Sequence, residues 1–304
     1  MTRTPDAARP ARAAKGGRRS FAKWAGDTGW RHLVAIAVVV FAVIPILYVV
    51  SAAFNPKGTL SATSLLPSEF GTGNFERLFT EDNIPFGRWF MNSLVIAVPA
   101  AFISILISSL AAYAFSRFRF TGRRPMLLFL LLIQMFPAFL SVVALYLIFG
   151  SIGDYYPVAG LNSKLGLMLV YMGGALGVST WLMKGFFDTI PKELDEAATI
   201  DGASHAQIFF GMILPLSAPI IAISGILAFV GTMNDFILAS LFLTDRPEMT
   251  LAVGLKTLTA ANSPASYFGV FAAGTLLTSI LTVTVFMSLQ RYIVSGLTGG
   301  AVKG

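Results

Sequence analysis

The sequence predicts an all-α membrane protein with six transmembrane helices and both termini on the cytoplasmic side. Three observations point there. Apolar residues make up 55% of the chain and charged residues 12%, against about 25% charge in soluble domains. The apolar residues gather in runs of about 20, the length that crosses a bilayer core. The 22 Lys and Arg residues are shared unevenly among the segments between those runs, and such a bias sets membrane orientation.

Residues 1–32 carry eight basic side chains, from Arg3 to Arg31, and no apolar period. They read as a disordered cytoplasmic tail drawn to anionic lipid headgroups. Leu33–Phe54 is the first crossing. Its 22 residues exceed the 7–15-residue apolar core of a signal peptide. The second crossing is Asn92–Ser116, the third Met126–Phe149 and the fourth Leu165–Met183. The fifth runs from Ile213 to about Asp235, and the sixth is Phe268–Leu289. Apolar character continues through Ile237–Leu243, too short for another crossing. That stretch is expected to be a membrane-level segment sheltered by protein, since irregular backbone cannot face lipid. Residues 33–293 thus form one transmembrane domain (core 88–290) that includes a polar loop, 185–215, and residues 294–304 form a cytoplasmic C-terminal tail.

With both termini inside, the outer segments hold only Lys57, Arg77, Arg88, Lys164, Arg246 and Lys256, and the remaining sixteen of the 22 basic residues lie inside. This assignment places loop 185–215 in the cytoplasm. The outer loop 55–91 is rich in aromatics, among them Phe70, Phe75, Phe79, Phe86, Trp89 and Phe90, and an interfacial aromatic belt is the expected role.

Glu193–Pro215 is the most polar interior stretch. Pro191 suits the first turn of a helix, and Glu193, Asp195 and Glu196 place negative charge near that helix's positive end. Asp201-Gly202 breaks the run, because glycine adopts backbone angles other residues avoid. Ala203–Met212 forms a second short run, and Pro215 opens the fifth crossing. The plain reading is a surface helix–turn–helix between two crossings.

Within the crossings, Ser104, Ser108 and Ala112 recur at steps of four, Gly173 and Gly177 likewise, and Ala222 and Gly225 at a step of three. Small residues at such spacing let helices approach closely. Gln134 lies three residues before Pro137, which breaks the backbone ladder. It either lines a translocation path or satisfies the local disruption. Asn234 and Asp235 fall at the outer end of the fifth crossing and are weaker candidates for the same path. No G-x-x-x-x-G-K-[ST] phosphate loop, H-E-x-x-H helix or G-x-S-x-G elbow occurs. There is no Cys, and His32 and His205 are the only imidazoles. These absences argue against an enzyme, against a metal site and against ATP binding through a phosphate loop. The basic residues follow topology rather than a patch for nucleic acid.

The Glu193–Pro215 stretch resembles the cytoplasmic loop of bacterial ABC importer permeases. The family's spacing, Glu-Ala-Ala, then Gly, Ile and Leu-Pro, is met by Glu196-Ala197-Ala198, Gly202, Met212 in the Ile place, and Leu214-Pro215. Further stretches are similar to MalG-type permeases of maltose/maltodextrin importers: Ala111–Phe120, Gln134–Ala138, Val143–Tyr146, Gly160–Asn162, Leu251–Gly254 and Gly296–Gly304. The basic tail 1–30 departs from that type.

The resemblance implies the ABC type I importer permease fold in a bacterial cytoplasmic (inner) membrane, bathed in lipid. It makes Glu193, Glu196, Ala197, Ala198, Asp201, Gly202, Leu214 and Pro215 the candidate residues for coupling to an ATPase. The implied partners are a second, larger MalF-like permease, two ATPase subunits and an extracytoplasmic sugar-binding protein. ATP and Mg would bind the ATPase, and no cofactor would bind this chain. Arg246–Tyr267 would reach toward the binding protein, and Val294–Gly304 toward the ATPase pair. The same machine for another sugar such as trehalose stays open. So do a secondary transporter without an ATPase, which would call for ion ligands or inverted repeats, and a membrane scaffold.

Overall fold

The computed structural model describes residues 25–56, 69–260 and 264–301. All regular structure among the described residues is helical. The chain divides into two units, residues 1–48 and residues 49–304.

In the first unit, a π-helical turn at Ala25–Gly29 leads into α1, Trp30–Phe54. Leu33, Ile36 and Phe41 are exposed on α1, a surface suited to lipid. Helical structure begins at Ala25, so the tail expected to be disordered over 1–32 is helical over 25–32, and residues 1–24 lie outside the described residues.

The second unit takes up the end of α1 at Val49. Ala52 and Ala53 are fully buried against Ala272 and Ala273 of the last helix, α13 (Pro264–Ala301), and small side chains on both allow the approach. The short helix α2 (Gly73–Thr80) lies beside them. Its buried Asn74 donates to the carbonyls of Ala52, Ala53 and Asn55 at 3.3, 3.2 and 2.9 Å, satisfying groups that a helix end leaves open.

The central element is α3 (Phe86–Arg117). Next come α4 (Arg123–Gln134) and α5 (Ala138–Tyr155), separated at Pro137 where a bend was expected. The fourth crossing is also divided. Helix α6 (Lys164–Gly173) passes through a 3-10 turn at Gly174–Leu176 into α7 (Val178–Phe187), with a 44° bend. Helices α8 (Lys192–Ile200) and α9 (His205–Ile208) form the elbow, and α9 continues as π-helix and a last turn to Leu216. Helix α10 (Ala218–Asn234) leaves at 80°. Then come α11 (Ile237–Phe242), α12 (Leu251–Ala260) and α13. Among the described residues, α1, α3 and α13 are long and apolar enough to cross a membrane, and counting each bent pair as one crossing brings the number to as many as six.

The fifth crossing does not run straight from Ile213: His205–Leu216 and α10 meet at an 80° break, because Pro219 in the first turn of α10 has no N–H to continue the ladder. The aromatic belt fails for Trp89 (0% exposed) and Phe86 (4%). The chain turns at 81–85 and lays α2 over the start of α3, so Phe79 meets Phe86 edge-on at 5.3 Å and Phe54 stacks on Phe70 at 4.8 Å. Within the segment 294–304 expected as the C-terminal tail, α13 continues to Ala301. The Ile237–Leu243 stretch, expected to be sheltered by protein, is sheltered on one side: Ala239, Phe242 and Leu243 are buried among Ile96, Leu167 and Val253, while Ile237 and Leu241 are exposed.

At the Phe86 end of α3, polar bonds seat the stretch before α12. Trp89 Nε1 donates to the Arg246 carbonyl at 2.7 Å. Asn92 Nδ2 donates to the Pro247 and Met249 carbonyls at 2.9 and 3.0 Å. Ser93 Oγ accepts from Leu251 N at 2.8 Å. Gly254 is the residue that lets α12 lie on the indole: a Cβ there would fall 2.2 Å from Trp89 Cδ2.

Candidate functional site

The elbow at the Arg117 end of α3 is built from local chemistry. Pro191 precedes α8, and Glu193 and Asp195 occupy its first turn, where the helix dipole favours negative charge. The helix stops at Asp201-Gly202. Gly202 has φ +85°, its N–H donates to the Thr199 carbonyl at 3.0 Å, and Ala203 N–H donates to the Ala198 carbonyl at 2.9 Å. This pair of bonds is a Schellman ending, and glycine is the residue that takes its left-handed position without strain. The second arm begins with a capping box. Ser204 N–H donates to Gln207 Oε1 at 2.8 Å, and Gln207 N–H donates to Ser204 Oγ at 3.4 Å.

The candidate coupling residues divide by face. Glu193, Glu196, Ala197, Asp201, Gly202 and Pro215 are exposed. Ala198 and Leu214 are half-buried and pack on a core made by Met183, Phe187, Ile208, Phe209 and Ile213 with Ala112 and Tyr113 of α3. Ile200, at the tip of the elbow, is 86% exposed. The elbow thus has an inner face fixed to the bundle and an outer face that pairs small side chains and carboxylates with one bare isoleucine.

What holds the inner face is a cluster that the sequence alone does not assemble. Arg117 ends α3 with its side chain only 5% exposed. Its Nη1 donates to the Phe187 carbonyl and its Nη2 to the Ile190 carbonyl, both at 3.1 Å. Its Nε lies 2.5 Å from Asp195 Oδ2 of α8. This last contact is one of charge, since Nε and Asp195 Oδ1 make no directed hydrogen bond. Beside it, Ser116 Oγ donates to Asp188 Oδ1 at 2.6 Å, and Lys184 pairs with Asp188 Oδ2. Burial alone would raise the Asp188 carboxyl. The hydrogen bonds from Lys184 and Ser116, with the charges of Lys184 and Arg123, outweigh that and hold it below the usual carboxylate range. Phe118, the next residue, meets the His205 ring edge-on at 5.0 Å. The only signal in the sequence was a charge run closing an apolar crossing, which tells topology but not partners.

The three path candidates do not converge. Gln134 is exposed, and its amide donates to its own helix at Leu130 O, 3.0 Å away; its Oε1 also lies near Gly177. Asn234 folds back on Val230 O at 2.9 Å. Asp235 accepts from the Tyr171 hydroxyl at 2.7 Å and from Ala239 N–H at 3.0 Å, so it caps α11 and ties it to α6. Asp235 also lines a cavity of about 470 Å³ between α3, α6–α7 and α10, together with Ser104, Tyr171, Ser179, Ser224 and Thr232. Ser224 is 1% exposed, and its hydroxyl has no hydrogen-bond partner in the chain. No Lys, Arg or His lines this cavity. Among the described residues, no group of three or more His, Cys, Asp or Glu is placed to hold a metal ion.

A family model described as the binding-protein-dependent transport system inner membrane component matches residues 104–299. The chain belongs to this family. The match takes in the Arg117 cluster, the whole elbow and the cavity, and begins after the first part of α3. Relatives at the sequence level span nearly the whole chain. The galactooligosaccharides transport system permease protein GanQ of Bacillus subtilis (strain 168) is 40% identical over 274 residues, covering 90% of this chain and 94% of its own. The maltose/maltodextrin transport system permease protein MalG of Yersinia pestis is 38% identical over 285 residues, covering 90% and 92%. The maltodextrin transport system permease protein MdxG of Bacillus subtilis (strain 168) is 36% identical over 272 residues, covering 90% and 94%. In three dimensions the chain is similar to a bacterial ABC transporter involved in the import of the acidic polysaccharide alginate. The TM-score is 0.73 at 22% identity, with 88% of this chain and 97% of that one covered; the likeness is one of fold. As an inner-membrane permease component, the chain is a transport subunit and not an enzyme.

Proposed function

We propose that this chain is one permease subunit of an ATP-driven importer of neutral oligosaccharides, with maltodextrins as the favoured substrate. The observation that carries the substrate class is the naming of three relatives for galactooligosaccharide, maltose or maltodextrin transport, each covering 90% of the chain. The machine would contain a second, MalF-like permease, two ATPase subunits that bind ATP and Mg, and an extracytoplasmic sugar-binding protein. The exposed face of the elbow, with Glu193, Glu196, Ala197, Asp201, Gly202 and Pro215, would dock on the ATPase in the cytoplasm, with Ala198 and Leu214 anchoring it from beneath. The stretch Arg246–Tyr267 would face the binding protein.

The cavity supports the neutral class. Its volume of about 470 Å³ falls in the ~300–1,000 Å³ range of small-molecule sites. Ser104, Ser179 and Thr232 among its lining residues carry hydroxyl groups, which suit a hydroxylic occupant better than a lipid tail. Asp235 on the wall, with no basic residue to balance it, disfavours an acidic sugar. Of the three path candidates, Asp235 keeps that role here, and Gln134 and Asn234 remain candidates for the path beyond this cavity.

Uptake of labelled maltotriose, a galactooligosaccharide and an alginate oligomer by a deletion strain carrying this chain or none tests the substrate. The chain should restore uptake of a neutral sugar and not of alginate. Restored galactooligosaccharide uptake with no maltotriose uptake favours the GanQ-like reading, whose support is the 40% identity. Purification of the complex tests coupling: an ATPase should accompany the wild type and be lost from Gly202→Asp, with the crossings still inserted. Normal uptake by that variant would remove the elbow's role.

A further inference from the structure

We propose that Arg117 is the positioning residue that makes the elbow and the membrane helices move as one body, by gripping α8 through Asp195 while its neighbour Phe118 holds the other arm. This role rests on the importer reading given above. An ATPase-driven displacement of the elbow does work on the membrane domain only if the elbow cannot swivel. On the α9 side, helix runs on to Leu216, but α8 is joined to α7 by the short segment Asp188–Pro191, which includes no regular structure. A tether of this kind transmits pull but not torque to α8.

The guanidinium removes that freedom. It is a planar group with five donors in fixed geometry, and here it serves three separate elements. Two donors close the carbonyls of Phe187 and Ile190 at the end of α7, where a cation also suits the helix dipole. The third nitrogen faces Asp195 in the first turn of α8. Asp195 is not needed to cap α7, and its side chain, 16% exposed, turns inward while Glu193 and Glu196 on the same helix face out. The Asp195 contact is therefore the one part of the cluster that joins the elbow to α3 and does nothing else. The edge-on contact of Phe118 with His205 fastens α9 to the same end of α3. Arg117, the last residue of α3, and Phe118, which caps it, thus hold one arm each. Because α3 lies against α6, α7, α10 and α12, a displacement delivered there reaches the helices that line the cavity. A charge contact this little exposed is only weakly screened.

The test uses the whole complex, reconstituted in vesicles with its partner permease, ATPase and binding protein. The variants in this chain are Asp195→Asn, Asp195→Glu and Arg117→Lys. Three quantities are read: ATPase retained on purification, ATP hydrolysed, and labelled sugar accumulated per ATP. Asp195→Asn should retain the ATPase and go on hydrolysing ATP, while sugar per ATP falls at least about fivefold, the low end of coupling between linked sites. Asp195→Glu should recover most of that ratio. Arg117→Lys should fall between, since an ammonium reaches Asp195 or the carbonyls but not all three. Wild-type sugar per ATP in Asp195→Asn would overturn the role. So would a fall in ATPase retained and ATP hydrolysed with sugar per ATP unchanged, which marks a merely structural contact. A wild-type complex that retains no ATPase would instead overturn the importer reading, and this role with it.

Discussion

Replacing Gly254 by alanine tests the packing at the Phe86 end of α3 with one carbon atom. The new Cβ would lie 2.2, 2.4 and 2.6 Å from Trp89 Cδ2, Cε3 and Cε2. Carbon atoms prefer about 3.5–4.0 Å, so the indole would have to withdraw by more than about 1 Å. It has nowhere to go: Trp89 is fully buried among Leu78, Phe86, Leu251 and Leu255. Overpacking of this kind costs about 1–3 kcal/mol. Losing the Trp89–Arg246 bond adds about 1 kcal/mol, and the helix preference of alanine over glycine returns about 0.5–1 kcal/mol. A net loss of about 2 kcal/mol corresponds to a fall of about 3 °C in Tm for a chain of this size. The assay is a thermal scan of the purified protein followed by tryptophan emission. Gly87→Ala is the control, because it lies in the same region and its added Cβ would have nothing within 4 Å; its Tm should stay level or rise slightly. Equal Tm values for wild type and Gly254→Ala, or an equal fall in both variants, would refute the packing argument.

Other outcomes follow from the elbow and its cluster. Gly202→Ala meets no neighbour but forces a side chain to φ +85°; at about 1–2 kcal/mol it should speed amide exchange across 193–208 without changing exchange in α3. Ser204→Ala removes the capping box and should cost about 1 kcal/mol locally, read as faster exchange in α9 alone. The folded Asp188 carboxyl is held below its ordinary value of 3.8, so its contribution is complete above that value and is lost as pH falls through the folded one. Wild type should therefore lose Tm more steeply than Asp188→Asn below about pH 4, and parallel curves would count against the cluster. Ser224→Ala removes a buried, unpaired hydroxyl and should leave Tm unchanged or raised in a thermal scan.

The apolar runs were legible because bilayer length imposes itself on sequence, and the break at Pro137 was legible because a missing N–H is a local fact. The elbow was legible for the same reason: Pro191, Gly202 and Ser204 act within a few residues of themselves. The bend inside the fifth crossing was not legible because Pro215 and Pro219 both look like helix openings, and the 80° change of direction is set by packing. Trp89 looked like an interfacial aromatic because nothing nearby in the chain announces that α2 and α12 cover it. Arg117 and Asp195 are separated by 78 positions, and no spacing rule pairs them. For the same reason, Asp235 could be singled out as polar but not recognised as the cap of α11.

The bonds from Trp89, Asn92 and Ser93 reach partners 155–158 positions later. During synthesis, α3 must therefore enter the bilayer well before those partners exist. Its leading turn carries an amide and a hydroxyl that stay unlatched until most of the chain has left the ribosome. A nascent chain stalled before residue 246 should be a poor guest in lipid and a good substrate for membrane quality control, and completion of the last stretch of the polypeptide would be what releases it.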